Sequence, residues 1–400
     1  MTKSKSLPQS FRQLREKSPK SHAPCFWIHG IDEKNTSETV EKLKNKGFSG
    51  VVLSDPRLVE KIRPSGIEIW LLSSCFRVND IADEQSTMCM DVTGRKQVWL
   101  GGGCPNNPIL AERNRDEVRK LAGVPGIKGI ILDRCRFIPP VAGLNGFLTC
   151  FDEHCENKAK ELGYDFNQIR KDVRFIYQLL KSKKQIRERR GLMWFKGPAG
   201  IVEWLMDHPG LLEWLRFRRD CITEHVRSLA DIVHHAGLRV GVYAYTPSLA
   251  PLVGQSYVDW SDFVDVFCPI LFRKLPYRPG EGCLTWEITA IPDELGVIGT
   301  SIESIVTSIM LSWTRMTGPV TDRTISALRA NGIPPEAAAR EVILARSLVG
   351  KNRDIFPVLY LEDPLLPETV RLMFSNTANG MNFYSYKDNW EKHMEQVAQE

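Results

Sequence analysis

The sequence predicts an α/β protein, a (β/α)8 TIM barrel with insertions after strands three, four and six. Eight short apolar runs begin near residues 24, 48, 67, 127, 239, 264, 355 and 380, and helical material follows each of them. A strand buried on both faces of a parallel sheet reads as such a continuous run. Eight β–α units in 400 residues fit a closed barrel. An open doubly wound sheet would call for a glycine-rich phosphate loop after the first strand, and Gly30-Ile-Asp-Glu33 supplies none.

The elements follow in order. Residues 24–29 form the first strand, Thr36-Ser37 caps a helix carrying Val40 and Leu43, and Phe48–Leu53 is the second strand. Asp55-Pro56 opens a short helix before the third strand, Ile67–Leu72. The rhythm then breaks. Residues 74–108, with Asp91-Val-Thr-Gly94 and Gly101-Gly-Gly103, read as an insertion holding a short hairpin. A helix over about 109–122 leads into Gly129-Ile-Ile-Leu-Asp133, an apolar run that ends on an acid. A second insertion runs from 134 to about 210 and contains a helical stretch with Val173, Ile176 and Leu179. The basic cluster Lys181–Arg190 has no interleaved aromatic residues and reads as a solvated helix end.

The regular pattern resumes with a helix over about 211–236, a strand at Arg239–Tyr245 and another at Phe263–Phe272. A third insertion occupies 273–333, and Pro334-Pro335-Glu336 starts a helix with proline in its first turn. Ile355–Leu361 and Gly380–Tyr386 are the last two strands. The expected organisation is a basic, disordered tail over 1–22 and one barrel domain over 23–400, with insertions at about 74–108, 134–210 and 273–333.

Composition narrows the partners. The chain is 42% hydrophobic and 25% charged, an ordinary globular balance. Its formal charge of +5 is matched by the tail alone, where Lys3, Lys5, Arg12, Arg15, Lys17 and Lys20 face only Glu16. A nucleic-acid partner is therefore not expected. No apolar run approaches the roughly 18 residues of a membrane span and the N-terminus has no apolar signal region, so a cytoplasmic protein is expected. The ten cysteines are too sparse for a disulfide scaffold. Cys150 and Cys155 form a close pair, but a metal site needs about four ligands and no second close pair appears. The expectation is structural thiols, no metal and no cofactor.

The working face of a TIM barrel lies at the C-terminal ends of its strands. Those ends present His29, Arg77, Asp133, Arg136, Tyr245, Glu362, Asp363, Tyr384 and Tyr386. Asp133 and the Glu362-Asp363 pair directly follow apolar runs on opposite strands, four and seven. Glycoside hydrolysis needs two such carboxyls, one to protonate the leaving oxygen and one to act as nucleophile or activate water. Strand alternation puts Glu362 on the face of Val358 and Tyr360, and Asp363 on that of Leu359 and Leu361, which favours Glu362 as the inward acid. The competing readings are a buried Asp133–arginine ion pair and a helix cap around Glu362. A metal-dependent hydrolase would need several strand-end histidines, and His29 alone is so placed.

The order Leu132-Asp-Arg-Cys-Arg-Phe137, Cys150-x4-Cys155 with Leu162-Gly-Tyr-Asp165, Glu213-Trp-Leu-Arg-Phe-Arg218 and Gly254-Gln-Ser-Tyr-Val-Asp-Trp260 running into Asp265–Phe272 resembles the glycoside hydrolase-like TIM-barrel proteins, distant relatives of the α-amylase and α-galactosidase group. The likeness covers roughly residues 24–390. It implies a carbohydrate substrate and an Asp nucleophile at the end of strand four, which is Asp133. The group's general acid sits at strand five or six, where Tyr245-Thr-Pro and Phe272-Arg-Lys hold no carboxylate. Glu362, Asp363 or Glu287 would then serve. The sequence expectation is Asp133 as nucleophile or charge stabiliser and Glu362 as acid/base, with His29, Arg77, Arg136, Tyr245, Asp363, Tyr384 and Tyr386 binding substrate. The alternative is a barrel that binds carbohydrate, or serves as a scaffold, without catalysis.

Overall fold

A computed structural model describes residues 25–78, 85–181, 198–275, 284–300, 303–313, 324–384, 386–387 and 389–399. The basic tail and nearly all of the Lys181–Arg190 cluster lie outside the described residues. Eight parallel strands form the core: β1 Cys25–His29, β2 Phe48–Leu53, β3 Glu68–Ser74, β4 Gly129–Asp133, β5 Arg239–Ala244, β6 Val266–Pro269, β7 in two pieces (Asp354–Ile355 and Val358–Tyr360), and β8 Gly380–Tyr384. Each pairs with the next in sequence, and β8 returns to β1 through Cys25↔Gly380 and Phe26↔Met381. The sheet is thus a closed (β/α)8 barrel.

The seventh strand departs from the continuous run expected of it. Pro357 has no N–H to give to the ladder, so the strand breaks there and resumes at Val358, which bridges Ile270 beyond β6. The sixth strand is shorter than its apolar run, because Phe263 belongs to the turn that closes on Trp260.

Two apolar layers follow from strand alternation. Outward residues such as Ile28, Val51, Ile130, Leu132 and Phe383 pack under the helices. Inward residues fill the barrel, led by Trp27, Trp70 and Phe356. The Trp27 and Phe356 rings stack with centroids 4.1 Å apart, and Trp70 lies 4.9 Å from Trp27. Glycines make room for them. A Cβ at Gly50 would sit 2.5 Å from Trp27 Cδ1, one at Gly129 2.4 Å from Trp70 Cζ3, and one at Gly380 2.4 Å from Phe356 Cε1. Gly129 and Gly380 begin their strands, so the aromatic plug closes the N-terminal end of the barrel and leaves the other end open.

The first two insertions crown that open end and dock on one another. The first carries a hairpin, Cys89–Met90 with Lys96–Gln97. It then enters helix α1, Pro108–Ala122, where Asn107 accepts hydrogen bonds from the Ile109 and Leu110 amides. The second carries helix α2, Glu153–Glu161, capped by the Asp152 side chain. Buried Asp91 ties the two together: it accepts from the Thr93 and Arg95 amides of its own turn and from Asn145 Nδ2 of the second insertion, at 2.7 Å. The long helix α3, Gly210–His235, packs against α1 and the second insertion. The third insertion holds helices Leu284–Glu294, Glu303–Trp313 and Ile325–Asn331.

Candidate active-site cleft

A cleft of about 620 Å³ opens at the C-terminal ends of the strands. His29, Arg77, Asp133 and Tyr384, all singled out in the sequence, line it together. Arg136, Tyr245, Glu362, Asp363 and Tyr386 are not among its walls.

Asp133 ends β4, and its side chain is 18% exposed. Burial pushes its carboxyl above the usual range, against the opposing pull of Arg134 and Arg136. Oδ1 accepts a hydrogen bond from the Arg134 amide at 2.8 Å. Arg134 itself has φ +58°, a left-handed conformation uncommon for a residue with a side chain. Its Nη1 donates to the carbonyl of Leu100, another left-handed residue (φ +48°), at 2.6 Å. The first insertion is thereby tied to the residue after Asp133.

His29 ends β1 and meets Tyr243 of β5 across the barrel, Nδ1 to Oη 3.0 Å. Asn382 Nδ2 donates to the same phenol oxygen at 3.0 Å, so Tyr243 joins His29 of β1 to Asn382 of β8. Burial drives the His29 pKa down to about 4. His225, which receives Asn114 Nδ2 at 3.0 Å and lies against Phe76, is driven down to about 3, again by burial. Both imidazoles are neutral when folded, whereas an unfolded histidine takes its proton near about 6.5. The unfolded chain binds more protons below that value, so stability is full above it and falls as pH drops toward 4. The urea midpoint should accordingly decrease from about pH 7.5 to about pH 5, and His225→Gln should flatten that dependence.

The two acids after β7 part company as alternation requires. Glu362 accepts the Tyr360 hydroxyl at 2.5 Å, and Tyr360 and Val358 face the barrel interior. Val358 is itself a wall of the cleft. Asp363 turns the other way. Both of its oxygens bind the guanidinium of Arg273, at 3.0 and 2.7 Å, in a pair whose side chains are 5% and 3% exposed. Arg136 lies 5.5 Å from the Tyr245 ring centroid, with its guanidinium pKa lowered by burial. Tyr386 donates its amide to the His29 carbonyl and so supports the site through the backbone. Glu287 is buried in the third insertion, where Oε2 accepts from the Val141 amide at 3.1 Å.

One acid on the cleft wall escaped the sequence reading. Glu117, on α1, lines the rim with Arg77, and desolvation there raises its carboxyl. It sits mid-helix rather than at a strand end, so no strand-end rule finds it. The aromatic residues Tyr243, Phe272 and Tyr384 complete the walls, the last two with ring centroids 5.4 Å apart. The cleft therefore offers a partly buried carboxyl, a neutral imidazole, an arginine and apolar ring faces, a set suited to a polyhydroxylated ligand. No described helix is long and apolar enough to cross a membrane.

No protein-family model and no curated protein matches the sequence. Solved structures do. A β-galactosidase from Bacillus circulans sp. alkalophilus is similar with TM-score 0.53 and 11% identity, over 96% of this chain and 56% of that one. Gan42B, a GH42 β-galactosidase, is similar with TM-score 0.54 and 10% identity, over 96% of this chain and 57% of that one. The chain spans a little over half the length of either enzyme. It shares the fold of these two proteins, a (β/α)8 barrel.

Proposed function

We propose that the protein hydrolyses an O-glycosidic bond of a carbohydrate held in the cleft, with Asp133 in the cleft wall and Glu362, which lies outside the walls on the hydroxyl of inward-facing Tyr360, as the two carboxyls and with the roles expected from the sequence exchanged. Asp133 protonates the leaving oxygen; Glu362 acts as nucleophile or as the base for water. The observation that carries this reading is the partial burial of Asp133 in the cleft wall, which favours its protonated form. A general acid must hold a proton at working pH. Glu362, by contrast, is an acceptor for the Tyr360 hydroxyl, which suits a carboxylate whose lone pairs do the work. His29 and Arg77 supply polar contacts to hydroxyl groups, and Phe272 and Tyr384 supply ring faces for the apolar side of a sugar.

A panel of α- and β-linked aryl glycosides tests the proposal. At least one should be cleaved, and Glu362→Gln should slow that cleavage by about 10²-fold or more. Calorimetric binding of an oligosaccharide with no cleavage on long incubation would instead identify a carbohydrate-binding barrel without chemistry.

A further inference from the structure

Nine cysteines lie among the described residues, all unbridged. Four of them gather at one place. Cys104, Cys150 and Cys155 present their sulfurs, and Asp152 a carboxylate oxygen, all within 4.8 Å of one another. Cys104 Sγ and Cys155 Sγ are 3.5 Å apart, and a hydrogen bond of 2.5 Å joins Cys150 Sγ to Asp152 Oδ2. Cys89, from the hairpin, stands against Cys150 as well. Chain spacing conceals this set: Cys104 belongs to the first insertion, and the other three ligands to the second.

We infer that Cys104, Cys150, Cys155 and Asp152 form a structural zinc site that staples the first insertion to the second. Zinc takes four ligands in a tetrahedron, with Zn–S of about 2.3 Å, which sets sulfurs roughly 3.8 Å apart. The observed spacing is already near that, and zinc would displace the three thiol protons, among them the one that Cys150 donates to Asp152. Three soft thiolates with one carboxylate suit zinc, whereas an oxygen-rich set would suit magnesium or calcium.

The surroundings are those of a charged centre rather than of thiols packed as small apolar groups. The Met90 amide donates to Cys150 Sγ at 3.4 Å, and Asn106 Nδ2 to Cys155 Sγ at 3.2 Å. Such donors orient and stabilise metal-bound thiolates. Arg218 of α3 is 0% exposed, and its guanidinium packs on the rings of Trp214 and Phe137 at 4.4 and 4.6 Å. Two of its nitrogens donate to the Leu252 and Ile138 carbonyls, and among the described residues no carboxylate pairs with it. A buried cation needs an opposite charge nearby. Neutral thiols supply none, but zinc with three thiolates and one carboxylate carries two net negative charges. Burial lowers the Arg218 guanidinium pKa, and Cys89, Cys150 and Cys155 lie within electrostatic reach of it.

The test is metal analysis of the full chain purified under reducing conditions from zinc-supplemented cells. About one zinc per chain is expected, released by a mercurial thiol reagent. Cobalt exchanged into the site should give the visible bands of a tetrahedral centre and a charge-transfer band of three thiolates. Cys89→Ser should keep the metal, whereas Cys155→Ser should lose it, and Asp152→Asn should weaken it. Zinc below roughly 0.1 per chain, with no cobalt spectrum on reconstitution of the wild-type protein, overturns the proposal whether or not any variant folds. Loss of metal in Cys89→Ser, with the charge-transfer intensity of four thiolates, overturns Asp152 as the fourth ligand.

Discussion

Asp133→Asn should slow cleavage of a glycoside with a poor leaving group by about 10²–10⁴-fold, the contribution typical of a positioned general acid. The same variant should cleave an activated aryl glycoside within about tenfold of wild type, because a stabilised phenolate needs no proton to depart. The reason lies in the environment of this one carboxyl. Burial in the cleft wall disfavours its charged form, and although the neighbouring guanidiniums oppose that effect, the net direction is upward. A carboxyl that must be protonated to work loses activity as pH rises through its pKa, so the wild-type profile should fall on the alkaline side and the Asn variant should lose that limb. A nucleophile behaves differently, and its removal abolishes turnover of both substrates. Equal losses on the two substrates would return Asp133 to the nucleophile's role and assign the acid to another group. Glu117, which also lines the cleft, would be the next carboxyl to replace.

Asp363→Ala should destabilise the fold by about 3–5 kcal/mol, because it leaves a buried charge without its counter-ion. Arg273 is held by Asp363 through two nitrogens and by the carbonyls of Asn331 and Ile333 through a third, at 2.9 and 2.8 Å. This network fastens the end of the third insertion to the end of β7, next to Glu362. Truncating the acid strands the guanidinium, whereas replacing both partners with apolar residues of similar volume removes the penalty together with the bond. The double variant Arg273→Met with Asp363→Leu should therefore be more stable than Asp363→Ala alone. Urea denaturation of wild type and these two variants measures the difference, and a double variant no more stable than Asp363→Ala would exclude a coupled pair.

Much of this architecture was legible in the chain, for an identifiable reason. Parallel strands buried on both faces must be apolar at successive positions, so all eight appeared as short runs within a few residues of their observed starts. Asp133 was legible because a charge that interrupts such a run marks the strand's exit from the core. The separation of Glu362 from Asp363 was legible in the same way, from the two-residue period of a strand. The roles of Arg136, Tyr245, Asp363 and Tyr386 were not, because strand-end position does not say which way a side chain turns once a partner is near. Asp363 meets an arginine 90 positions away. Arg136 and Tyr245 meet each other.

The sequence alone determined the order of elements, the positions of the insertions and the strand ends that carry acids, since each depends on local periodicity and on where polarity interrupts it. Tertiary structure decided which of those ends share a cleft, which acid is desolvated, and that Cys104 joins Cys150, Asp152 and Cys155. Those outcomes depend on through-space contacts between segments distant in the chain. Burial and charge pairing act over a few ångströms of space, and no spacing along the sequence encodes them.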